Sequence, residues 1–183
     1  MTFYKKFVPS NYYKSIKDIN YEDLKTQGIK TLFFDLDNTI ISYDETKVSS
    51  EMCKFLNNLK QDFKLIVISN SRKKRVQNAL INCDLLFINY ALKPLKRGFK
   101  KALKLIDSKP YEVVVIGDQL MTDVFGANRL NMKALLIGSV KRSSDRFITK
   151  INRALEKCVI KIIKKRALNI YEERLSVYEK DHL

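Results

Sequence analysis

The chain has 183 residues, 45% of them apolar and 10% aromatic, with little Pro or Gly, which suits one well-buried domain and excludes both a disordered chain and a pair of ordinary domains. Thirty-five Lys and Arg outweigh 20 Asp and Glu, a formal net charge of +15, so an anionic partner is expected: a phosphorylated substrate, an anionic membrane surface or nucleic acid. The opening residues MTFYKKFVPS lack the apolar run of a secretion signal, and no stretch approaches the roughly 18 apolar residues of a spanning helix, so the chain is expected to be cytoplasmic and to touch a membrane at most.

In chain order, about thirty residues precede the first strand signal and carry Phe3, Tyr4, Phe7, Tyr12 and Tyr13, which suit either packing on a sheet or contact with a partner. Five short apolar runs then recur: TLFFDL (31–36), KLIVIS (64–69), LLFIN (85–89), EVVVIG (112–117) and KALLIG (133–138). Each is nearly continuous in apolar character, as strands covered on both faces are. Segments with helical spacing separate them, among them SSEMCKFLNNLK, RKKRVQNALI, LKRGFKKALKLI and TDVFGANRLN. The alternation predicts an α/β fold, a single Rossmann-like doubly wound domain with a five-stranded, mainly parallel sheet. Near residue 139 the pattern shifts, so residues 1–140 are read as the α/β domain with its N-terminal extension and 141–183 as a helical extension packed on or beside it. Cys53, Cys83 and Cys158 form no CxxC pair and are expected as reduced, buried thiols.

Ligands of such sheets bind beyond the carboxyl ends of the strands, which gathers Asp35, Asp37, Ser69, Asp118 and Asp123 into one crevice. Four acids converging without a cation would force at least one to hold its proton. A hard divalent ion removes the conflict, and Mg²⁺, which prefers one or two carboxylates plus water and phosphate oxygens, fits best, with Asp35, Asp37, Asp118 and Asp123 as the candidate residues. Zinc does not fit, because the one histidine, His182, lies in the terminal residues and the cysteines are scattered. Ser69 and Asn70 offer donors and Lys93 a positive charge to a phosphate, with backbone N–H groups around Leu36 to Thr39 as an anion nest. A cation, donors and a carboxylate nucleophile together describe phosphoryl transfer.

The four segments DLDNT, VISNS, the KP of ALKPL and GDQLMTD, in that order, resemble the four motifs of the haloacid dehalogenase (HAD) superfamily of phosphatases. The DxDNT and GDQxxTD forms resemble its subclass IIIA and the YqeG-like group, which includes a phosphatidylglycerophosphatase. The resemblance implies that Asp35 attacks phosphorus and becomes an aspartyl-phosphate, while Asp37 protonates the leaving alkoxide and then activates water. It further implies that Ser69 and Lys93 hold the transferring group with help from Asn70. Mg²⁺ would lie on the Asp35 carboxylate, the Asp37 backbone carbonyl and Asp118, with Asp123 in support.

The spacings between Asp37, Ser69 and Lys93 leave room for one helix and one strand each, so no cap domain is expected and the site should admit large substrates. The stretch 147–166, FITKINRALEKCVIKIIKKR, sets Phe147, Ile148, Ile151, Leu155, Cys158, Val159, Ile162 and Ile163 at helical spacing beside a basic stripe of Lys150, Arg153, Lys157, Lys161 and Lys164. From Ser139 to Arg166 ten Lys and Arg face two acids. Such a helix either docks on the domain or lies on an anionic membrane surface. The expected activity is therefore an Mg²⁺-dependent phosphomonoester hydrolase acting on a lipid head group, with phosphatidylglycerophosphate the substrate the resemblance implies. The alternatives are a phosphatase for a soluble, nucleic-acid or protein phosphate, and an RNA- or ribosome-binding module.

Overall fold

The computed structural model describes residues 3–140 and 147–182, with side chains of the last long helix described from Ile151 onward. The five apolar runs become β2 (Thr31–Phe34), β3 (Lys64–Ile68), β4 (Leu86–Ile88), β5 (Val113–Gly117) and β6 (Lys133–Ile137), and every residue of β2 and β5 is buried. The sheet has a sixth strand that the apolar pattern does not announce, β1 (Asn11–Tyr13), which pairs with β6 so that Asn11 faces Leu135. It is three residues long, half-exposed and at the sheet edge, so it carries no continuous apolar run. All pairings are parallel and the strand order is β1-β6-β5-β2-β3-β4.

From β2 the chain winds outward through β3 and β4 on one side, then returns to β5 and β6 on the other, where β1, which precedes β2 in the chain, forms the edge. The reversal leaves a crevice beyond the carboxyl ends of β2 and β5. Alternate side chains of β2 serve the two faces. Leu32 and Phe34 join a core layer with Leu56 of α2 (Ser50–Leu59) and Val76 of α3 (Lys73–Ala79). Phe33 joins the opposite layer with Phe99 of α4 (Lys96–Ile106) and Ala127 of α5 (Phe125–Asn128). The short α1 (Tyr21–Thr26), capped by the Asn20 side chain accepting from the Asp23 N–H, leads into β2.

The C-terminal helices α6 (Phe147–Arg166), α7 (Leu168–Arg174) and α8 (Ser176–His182) close the second layer, burying Ile160, Ile163, Tyr171, Leu175 and Tyr178. His182, in the terminal residues, has its Nε2 2.8 Å from the Tyr12 hydroxyl. The N-terminal aromatics mostly pack inward. Phe7 is buried and stacks on Phe125 with centroids 4.3 Å apart, whereas Phe3 is 68% exposed.

The amphipathic reading of α6 needs correction. Its inward face is Arg153, Glu156, Ile160 and Ile163, two of them charged, while Ile151, Leu155, Cys158 and Ile162 of the expected apolar face are exposed. Arg153 is therefore buried and leaves the basic stripe; Phe147, Ile148 and Lys150 lie outside the described side chains. The cysteines also differ from expectation: Cys53 and Cys83 are joined as a disulfide across α2 and the turn before β4, and Cys158 is exposed.

Candidate active site

The β2–β5 pairing runs one residue past the named strands, with Asp35 N–H donating to the Ile116 carbonyl at 2.9 Å. This carries Asp35 to the switch-point crevice, beside Asp118 at the end of β5. Around them the structure builds a floor of buried charges. The Lys93 ammonium lies 2.5 Å from Asp35 Oδ1 and 2.6 Å from Asp123 Oδ1, with the three side chains 3%, 8% and 2% exposed. Asp123 is held in turn by the Gln119 N–H and the Thr122 hydroxyl, each donating to Oδ2 at 3.3 Å. Gly117 gives it room, since a Cβ there would stand 2.3 Å from Asp123 Cγ. Thr122 thus serves the acid beside it.

Burial pushes the Asp35 carboxyl well above its usual range; Lys93 pulls it down, and Asp123 and Asp118 push it up again. Burial works against the Lys93 charge, yet the Asp123 and Asp35 carboxylates together hold the ammonium above the ordinary lysine range. Among the described residues Asp35, Asp118 and Asp123 bring carboxylate oxygens within 4.8 Å of one another. Three hard oxygen donors that repel one another in a dry site suit Mg²⁺ and give zinc none of its nitrogen or sulfur ligands.

Asp37 does not join this cluster, so three acids converge through their carboxylates and not four. Its Oδ2 accepts from the Ser71 hydroxyl at 2.7 Å, and its Oδ1 from Arg75 Nε at 3.1 Å and from the terminal Arg75 nitrogen at 2.9 Å. The same guanidinium donates to the carbonyls of Ser42 and Glu45 and lies over the Tyr43 ring. Arg75 therefore pins the segment after the first motif to the helix after the second. Its position in the RKKR run reads as surface charge in sequence, and the side chain instead turns inward.

Ser69 is buried and its hydroxyl accepts from the Ser71 N–H at 3.0 Å. Asn70, expected to assist phosphate binding, spends both ends of its amide on the Lys93 main chain, accepting from Lys93 N–H at 2.7 Å and donating to the Lys93 carbonyl at 3.1 Å. It holds the lysine loop in place. The expected anion nest is smaller than its four residues, because the Asn38 and Thr39 N–H groups donate to the Ile41 and Leu36 carbonyls.

The C-terminal helices also reach the floor, which the motifs do not reveal. Arg153 of α6 pairs with Asp118 Oδ2 and donates to the Asp118 carbonyl at 2.6 Å. Glu156 receives Arg153 at 3.2 Å and the Tyr178 hydroxyl at 2.9 Å, and its Oε1 accepts from the Leu120 N–H at 2.7 Å. The signal for this was an Arg and a Glu three apart in line with Ile160 and Ile163, charges set on a face that otherwise buries.

A parallel doubly wound sheet with clustered aspartates and a buried lysine at its switch point defines a hydrolase scaffold of the phosphoryl-transfer kind. Known proteins resolve the class. The family description "haloacid dehalogenase-like hydrolase" matches residues 11–131. Over 170 residues the chain is 34% identical to the probable phosphatase YqeG of Bacillus subtilis, covering 92% of this chain and 98% of that relative. The chain belongs to the haloacid dehalogenase-like hydrolase family, and it is a phosphatase. Its fold is similar to that of a HAD-like family hydrolase from Porphyromonas gingivalis, at TM-score 0.52 and 16% identity over 70% of this chain and 98% of that one. It is also similar to a HAD family enzyme from Bacteroides thetaiotaomicron, at TM-score 0.50 and 13% identity over 64% of this chain and 97% of that one.

Proposed function

We propose that the protein is an Mg²⁺-dependent phosphomonoester hydrolase working through an aspartyl-phosphate on Asp35, and that its substrate is phosphatidylglycerophosphate, which it converts to phosphatidylglycerol. The observation that carries the chemistry is the buried contact of Lys93 with both Asp35 and Asp123 inside a cluster of three carboxylates. In the first step an Asp35 carboxylate oxygen attacks phosphorus and the ester P–O bond breaks. Its electron pair goes to the leaving oxygen, which takes a proton from Asp37. In the second step water attacks the phosphorus of the aspartyl-phosphate and gives a proton back to Asp37, and the Asp35 carboxylate is regenerated as phosphate departs.

Ser69 and Lys93 hold the transferring oxygens, Asn70 and Asp123 fix Lys93, and Arg153 fixes Asp118. Asp35, Asp118 and the Asp37 carbonyl would hold Mg²⁺, with Asp123 behind them. The ion would supply positive charge that favours the ionised Asp35 and neutralises the phosphoryl oxygens.

Two features support a lipid head group. All residues between Asp37 and Lys93 are described, and they form only α2, β3, α3, β4 and their connections, so no inserted cap covers the crevice. Helix α6 grips Asp118 with one face while another shows Ile151, Leu155 and Ile162, each 45–47% exposed, beside exposed Lys157, Lys161, Lys164 and Lys165. An apolar stripe with lysine flanks suits peripheral contact with an anionic membrane next to the crevice. The resemblance to subclass IIIA and its YqeG-like group supports the named lipid.

The test is phosphate release from phosphatidylglycerophosphate in mixed micelles, beside a panel of soluble phosphomonoesters, with Mg²⁺ or EDTA. Lipid turnover well above the panel and lost with EDTA is expected. Turnover of soluble or nucleic-acid esters alone would remove the lipid assignment, and salt-sensitive RNA binding without any turnover would replace the enzyme reading with a binding module.

A further inference from the structure

The mouth of the crevice holds a cation that the chemistry above leaves without a task. Both carboxylate oxygens of Asp37 are engaged, one by two nitrogens of Arg75 and the other by Ser71. To hand a proton to the leaving oxygen, Asp37 must give up part of this set. The guanidinium cannot simply follow, because its other donors rest on the Ser42 and Glu45 carbonyls and its plane lies over Tyr43. Its fork then stays at the mouth, 19% exposed, on the side where the leaving group emerges and with its counter-charge withdrawn.

We infer that Arg75 is a specificity residue that reads a second negative charge on the leaving part of the substrate. A phosphomonoester whose alcohol carries a further phosphate or phosphodiester a few atoms away restores the lost ion pair as Asp37 turns; an uncharged alcohol does not. Exposed Arg72, Lys73 and Lys74 on the same turn add positive potential around that position. The substrate class is therefore phosphomonoesters with an anionic leaving group. The inference rests on the roles proposed for Asp35 and Asp37, and it sharpens the lipid reading, since the leaving part of phosphatidylglycerophosphate carries a phosphodiester.

The experiment compares kcat/KM for glycerol 1,3-bisphosphate and glycerol 3-phosphate in the full-length protein, Arg75→Lys and Arg75→Ala, with thermal melts to verify folding. The native protein is expected to prefer the bisphosphate by about tenfold or more, as charge-assisted hydrogen bonds allow. Arg75→Ala should bring the ratio close to one, mainly through KM for the bisphosphate. Arg75→Lys, which keeps the charge and loses the fork, should fall between. No preference in the native protein, or equal losses on both substrates in the variants, would overturn the inference and leave Arg75 as a support for Asp37. Bisphosphate preference that depends on Arg75, in a protein that leaves phosphatidylglycerophosphate untouched, would sustain the inference and remove only the lipid assignment.

Discussion

At the floor of the crevice Asp118 and Asp123 are 0% and 2% exposed and neutralised by Arg153 and Lys93, whereas at its mouth Asp37 and Arg75 pair at 17% and 19% exposure. The same chemical pairing has different consequences in the two places. A charge removed from the floor leaves its partner stranded in a dry site, so the floor behaves as one rigid unit. At the mouth water and incoming ligand can reach the pair, so Asp37 can turn away while Arg75 stays on the Ser42 and Glu45 carbonyls. The division matches the proposed chemistry, in which Asp35 and the metal ligands hold still while Asp37 serves two steps.

Removing cations in turn tests the contrast. Lys93→Ala strands Asp35 and Asp123 together and should lower unfolding stability by about 3–5 kcal/mol, read by denaturant titration, besides abolishing turnover. Arg153→Ala strands Asp118 and Glu156, and a loss near the lower end of about 3–5 kcal/mol is expected because the Tyr178 hydroxyl still reaches Glu156. Arg75→Ala at the mouth, where water reaches Asp37 but the Ser42 and Glu45 carbonyls lose a donor, should cost less, about 1–2 kcal/mol. Equal losses at the three positions would erase the distinction between floor and mouth.

The smallest effect concerns pH. The folded-state pKa of Asp35 is raised by burial, so the native protein binds this proton more tightly than the unfolded chain does. Without metal, stability is lost as pH climbs from the ordinary carboxylate value of about 3.9 towards the higher native one. Mg²⁺ would take the place of that proton, so its addition should raise the melting temperature more at pH 8 than at pH 5. Equal shifts at both pH values would mean that the ion does not sit beside Asp35.

Much of the floor is legible in sequence, whereas at the mouth Asp37 is legible and its partner Arg75 is not. Asp35, Asp118, Asp123 and Lys93 fall at strand ends or beside Pro94, where the alternation of apolar runs already places a crevice. Arg75 hides in a basic run because nothing local separates an inward arginine from its three exposed neighbours. Arg153, Glu156 and Tyr178 come from helices beyond the motifs, and their partners are 22 to 36 residues away, or on one another, so only the fold brings them to Asp118 and Leu120. The same locality explains β1. Asn11 to Tyr13 acquire strand geometry from pairing with β6 and not from an apolar run of their own. The disulfide of Cys53 and Cys83 is likewise a contact across 30 residues, invisible to spacing alone.

The most direct test of the central claim is to quench the protein in acid during turnover of a phosphomonoester with Mg²⁺ and to search its peptides by mass spectrometry. The account predicts a phosphate adduct on the peptide carrying Asp35, absent in Asp35→Asn along with at least about 10³-fold of the turnover. Steady turnover with no adduct, and with Asp35→Asn as active as the native protein, would contradict it.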